Sequence, residues 1–215
     1  ILSIRKDAKL SRYAAELYSF SDGTLFRSKE TMLASEIASV LSIRQGYIEG
    51  DKKAVFVESV HNAQGLLTDI LVETEGYELA NITIDPISGS GISTVRPVNV
   101  LCEDVNEDGV TEVPTAILLP GYSGKKAVDT QWYYLWRAYA EDGSARDVLY
   151  TYHQFGEEWF LELPSEWISK VSVYQETRED VRSTAFYDIT GMDRELIVRI
   201  YALAGSDRGK TIKDY

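Results

Sequence analysis

Short runs of β-branched and aromatic residues, each stopped by turn formers, recur along most of this chain and leave antiparallel sheet as the architecture it is built for. Residues 53–60 form such a run after Glu49, Gly50 and Asp51. Residues 67–74 and 78–84 flank Glu75, Gly76 and Tyr77, a connection short enough for a hairpin. Residues 94–102 and 112–119 flank a second turn, residues 131–139 and 147–152 a third, and residues 158–163 add a strand before Pro164. Hairpins recurring at intervals of roughly 30 residues are the spacing of stacked sheets or of a propeller-like array.

One stretch carries a different period. Over 28–42, Met32, Leu33, Ile37, Val40 and Leu41 fall three and four residues apart, which predicts an amphipathic helix with Ser28 as its N-cap. The fold class is therefore expected to be α+β and predominantly antiparallel β. A β-meander with helix 28–42 would occupy 1–122, and a smaller, aromatic-rich sheet part would occupy 123–215. The boundary falls in 119–126, where Pro120, Gly121, Ser123 and Gly124 break any period. Trp132, Trp136, Trp159 and Trp167 all follow it. In a regular strand Trp132, Tyr134 and Trp136 share one face and Tyr133 and Leu135 the other, so both faces of that strand are expected to be covered.

Charge removes some partners. With 34 acidic against 22 basic side chains the formal charge is −12, which repels nucleic acid and anionic membrane surfaces. No run reaches the ~20 apolar residues of a membrane-spanning helix. The chain opens on Ile1, and residues 1–10 lack the basic start, apolar core and cleavage site of a signal peptide, so a fragment or processed product is expected. Its one cysteine, Cys102, cannot close an internal disulfide and is expected to be a buried thiol.

The sharpest chemical pattern is Asp104, Asn106, Asp108, Gly109 and Glu112. Oxygen-bearing side chains at alternate positions converge when a loop curls, and glycine permits the tight turn, which is a hard-cation pattern. A helix-loop-helix calcium hand is excluded, because its bidentate acid would fall on Thr115 and its flanks here read as strands. The same residues make a good metal-free turn. The segment resembles the calcium loop of integrin-type FG-GAP propeller blades. That resemblance implies Asp104, Asn106 and Asp108 as side-chain ligands, Val110 through its carbonyl, Glu112 in place of the usual last Asp, and calcium as the cofactor.

Two further resemblances concern longer stretches. Residues 45–59, 68–71, 79–82, 104–112 and 159–167 look like those of uncharacterised lipoproteins of Gram-positive bacteria, which implies an extracytoplasmic, cell-envelope-anchored protein. Residues 160–173, 183–187 and 196–203 are similar to the PsbP-like fold, in which a strand ends in Pro and Trp before successive antiparallel strands.

Catalytic signatures are sparse. His61 and His153 are too few for a His-rich zinc site, and there is no Gly-x-Ser-x-Gly elbow, phosphate loop or dinucleotide fingerprint. Paired carboxylates for glycoside hydrolysis would have to come from Glu157, Glu158, Glu162 and Glu166, beside Trp159 and Trp167. The leading expectation is a non-catalytic cell-envelope binding or structural module, calcium-stabilised, with a protein or carbohydrate ligand. The alternative is a hydrolase or carbohydrate-active enzyme using paired carboxylates.

Overall fold

The computed structural model describes residues 1–7, 11–61, 65–97, 99–126, 130–178 and 181–203. Among the described residues fourteen strands form four antiparallel meanders, and in each sheet neighbouring strands are consecutive in the chain. The first holds β1 (Leu2–Asp7), β2 (Arg12–Ser21) and β3 (Thr24–Met32). The second holds β4 (Ile37–Ile48), β5 (Lys52–His61), β6 (Leu66–Glu73) and β7 (Leu79–Asn81). The third holds β8 (Val113–Leu118), β9 (Trp132–Tyr139), β10 (Ala145–Gln154) and β11 (Trp159–Leu163), and the fourth β12 (Val171–Arg178), β13 (Val181–Asp188) and β14 (Glu195–Leu203).

The predominantly antiparallel β class is thus as expected, but the amphipathic helix 28–42 is absent. Its residues lie in β3, in the connection after it and in β4. Two bulges mislead the eye. Against β5, Ile37 pairs with His61 but Ser39 with Val60, and Val40 with Ser59 but Ser42 with Glu58, so one extra residue enters at each step. Each insertion breaks the period of two and spaces apolar residues as a helix would. The β2–β3 turn has its own signature: Asp22 and Gly23, at φ 52° and 78°, form the two-residue loop that an Asp-Gly pair favours.

A second correction concerns 94–102, expected as a strand. Ile92–Thr94 is a single 3₁₀ turn, and only Arg96 makes a bridge, to Leu66. Pro97 offers no amide to a ladder, and the segment curls round its own arginine instead. Val98 lies outside the described residues.

The chain divides into two compact units, Ile1–Ala116 with Leu135–Val148 and Ile117–Tyr134 with Leu149–Tyr215. Unit 1 buries two apolar clusters, one around Phe56, Ile70, Val72 and Tyr139 and one around Leu33, Val57, Leu67 and Leu71. Its core also encloses an ion pair. Arg96 and Glu58 are both fully buried, with Arg96 Nη2 donating to Glu58 Oε2 at 2.9 Å. Arg96 also donates to the carbonyls of Val100 and Thr94 and to Thr68 Oγ1, while Glu58 Oε1 accepts from the Cys102 amide. Few of these groups are left wanting, which is the condition for tolerating buried charge. Gly65 (φ 90°) makes room for the arginine: a Cβ there would lie 2.0 Å from the Arg96 carbonyl oxygen.

Unit 2 is built on tyrosine and tryptophan. Tyr133, Tyr152, Val173 and Phe186 are fully enclosed, with Trp159 and Trp167 packed half-buried against them. Tyr133 and Tyr122 donate their hydroxyls to the carbonyls of Val171 and Val173, both at 2.6 Å, which satisfies outward-facing groups of β12, an edge strand of its sheet. Residues 133–136 of β9 are buried on both strand faces, as the aromatic alternation anticipated.

Candidate functional site

The loop between Cys102 and β8 is closed at its base by a bridge in which Glu103 and Glu112 exchange backbone hydrogen bonds at 3.2 and 2.9 Å. Within it Glu107 (φ 60°) and Gly109 (φ 91°) are left-handed, a conformation that suits glycine and lets the chain reverse within a few residues. The alternate acids then fold inward on the backbone. Asp104 accepts from the amides of Asp108 at 3.0 Å and Gly109 at 2.8 Å, and Asp108 Oδ1 accepts from Val110 at 2.8 Å. Asn106 accepts from the Asp108 amide at 3.2 Å and donates to Asp108 Oδ2 at 2.9 Å. Asp104, Asn106 and Asp108 are therefore tied to one another on one turn, and all three are exposed, whereas Val110 is half-buried.

Glu112 is different. Its side chain is fully buried; Oε2 accepts from the Val105 amide at 3.1 Å, and Oε1 has no hydrogen-bond partner. Burial, and then the negative charges of Asp108 and Asp104, raise its pKa to about 7. An unsatisfied carboxylate oxygen in such a place is costly and is rare in folded proteins. Among the described residues no group of three or more His, Cys, Asp or Glu is arranged to hold a metal ion. The three acids of the calcium pattern, Asp104, Asp108 and Glu112, are thus not gathered into such a group. The Val110 amide, then the Asn106 side chain and last the charge of Arg146 hold the Asp108 pKa below its ordinary value, and Arg146 is itself held by Glu49 at 2.7 Å.

The Cys102 thiol is buried, 3.3 Å from Thr68 Oγ1, and burial pushes its pKa up, away from a reactive thiolate. His153 shares a hydrogen bond with Thr151 Oγ1 at 2.9 Å and stacks between Phe155 and Phe160, and burial lowers its pKa to about 4. Of the four carboxylates considered for hydrolysis, Glu157 is ion-paired with Arg182 at 3.0 Å, and Glu158, Glu162 and Glu166 are exposed.

The sequence pattern missed Asp69. It is fully buried, and Oδ1 accepts from the Ala34 amide at 3.1 Å and from Asn81 Nδ2 at 2.6 Å, fastening the connection between β3 and β4. Oδ2 is unpartnered, and burial raises the pKa to about 6. A charged residue in the apolar run 66–72 was the only available signal. No protein family, curated protein or solved structure matches the chain.

Proposed function

We propose that the chain is a non-catalytic, extracytoplasmic binding or structural module of the cell envelope, and that calcium fixes its 104–112 loop. The observation that carries the calcium reading is the buried, unpartnered Oε1 of Glu112 beside a turn bearing two more carboxylates. Asp104, Asn106 and Asp108 would supply side-chain oxygens, Val110 its carbonyl and Glu112 the buried carboxylate. A carboxylate has about four lone-pair sites, so Asp104 and Asp108 can keep their amide bonds and still ligate.

Thermal unfolding in calcium and in chelator tests the reading. At a hundredfold excess over the dissociation constant the ion should add ~2.7 kcal/mol, and Asp108→Ala should lose that gain. Equal midpoints in saturating calcium and in chelator would leave only the metal-free turn.

A further inference from the structure

Unit 2 contains an open groove of about 230 Å³ lined by Gln154, Glu157, Gln175, Thr177, Arg182 and Thr184. Its origin lies in how the inward face of β12 and β13 changes along the strands. Val173 pairs with Phe186, both fully buried in the core; two residues on, Gln175 pairs with Thr184, and two further on Thr177 pairs with Arg182. Residues two apart share a face, so the surface that starts as apolar core continues as a row of hydrogen-bonding side chains. The end of β10 supplies Gln154, and the turn after it Glu157.

The polar groups are already held in place. Arg182 Nη1 donates to Glu157 Oε1 at 3.0 Å, Gln175 Nε2 donates to the Tyr152 hydroxyl at 2.6 Å, and Gln154 Oε1 accepts from the Gly156 amide at 3.3 Å. Tyr152 in turn packs against Trp159 and Phe186, which anchors Gln175 to the core. Planar amides and a carboxylate–guanidinium pair set on rigid strands present donors and acceptors side by side without spending further order on binding. Glu157 is paired with Arg182, and the second acid of the lining, Glu176, is answered from outside the groove by Arg178 at 3.5 Å and Arg199 at 3.9 Å, so no charge is left uncompensated and the groove calls for a neutral partner.

We propose that this groove binds a single neutral sugar residue of a glycan. Each sugar hydroxyl both donates and accepts, and vicinal hydroxyls match the paired atoms of an amide or carboxylate. At about 230 Å³ the groove is smaller than the ~300–1,000 Å³ of sites that enclose a drug-sized ligand, so it holds one ring while the rest of a chain extends through its open side. Glycan binding rests on the binding-module reading above, but it uses none of the loop ligands, so the two fail independently.

The test is a titration of the ¹⁵N-labelled full chain, in calcium and again in chelator, with three soluble probes: an N-acetylglucosamine hexamer, an α-linked glucose hexamer and a galacturonic acid hexamer. Saturable shifts of the Gln154 and Gln175 side-chain amide signals with a neutral hexamer are expected under both conditions. Gln154→Ala and Thr177→Val, neither of which touches the core, should each weaken binding at least tenfold, ~1.4 kcal/mol. No shift with either neutral hexamer, shifts only with the acidic one, shifts centred on Phe155 and Phe160 instead, or full affinity in both variants would each overturn the proposal.

Discussion

Removing one partner of the Glu58–Arg96 pair should damage unit 1 more than any comparable surface change. Glu58→Gln keeps the shape and the acceptor for the Cys102 amide, but it leaves the Arg96 guanidinium buried without a counter-charge. Breaking a buried pair in this way costs ~3–5 kcal/mol, and Arg96→Met should cost a similar amount by stranding Glu58. The double variant should not recover fully, because the Val100 and Thr94 carbonyls and Thr68 Oγ1 would lose the arginine that donates to them. It should nevertheless lose clearly less than the sum of the single changes, since the second substitution removes a charge already unpaired. Equilibrium unfolding in urea, followed by circular dichroism, gives all three values. Single variants within ~1 kcal/mol of wild type, or a double variant equal to the sum, would refute the account of the pair as a coupled buried unit.

Asp69 should give stability a pH slope of unusual sign. Its folded pKa of about 6 lies above its ordinary 3.8, so the folded chain holds the proton more tightly, and this contribution is full below pH ~4 and lost as pH rises through 6. The change approaches ~3 kcal/mol, and wild type minus Asp69→Asn across that window should show it; identical pH profiles would contradict it. His153 acts oppositely, because its folded pKa of about 4 lies below its ordinary 6.5, so its contribution falls away as pH drops from 6.5 to 4, and His153→Phe should remove that loss in the same denaturation series. Trp136, fully enclosed, should cost ~3–5 kcal/mol on replacement by alanine, and the half-buried Trp159 and Trp167 less but measurably; wild-type midpoints for Trp159→Ala and Trp167→Ala would overturn their packing role. Gly65→Ala should destabilise strongly, because both its φ of 90° and the Arg96 carbonyl exclude a Cβ; an unchanged midpoint would show that the segment shifts freely.

Most strands were legible because alternation and turn residues agree: residues 53–60, 67–74 and 131–139 correspond closely to β5, β6 and β9. The helix at 28–42 was misread because bulges at Ala38 and Leu41 imitate a helical period, and a bulge depends on the partner strand rather than on local sequence. Asp22 and Gly23 were a strong hairpin signal, and giving them weight would have placed β3 against β2. Residues 94–102 looked like a strand because their apolar content was visible while the burial of Arg96 was not; that burial needs Glu58 and Thr68 from distant strands. At the loop, the spacing of Asp104, Asn106 and Asp108 was plain in sequence. That Glu112 alone is buried with an idle oxygen required the packing around β8.

Calorimetric titration of calcium into the chelator-stripped chain tests the central claim most directly. The account predicts one ion bound per chain, with heat lost when Glu112→Gln removes the buried carboxylate although the loop's other ligands remain. Absence of binding heat in wild type across a temperature series, or undiminished binding by Glu112→Gln, would contradict it.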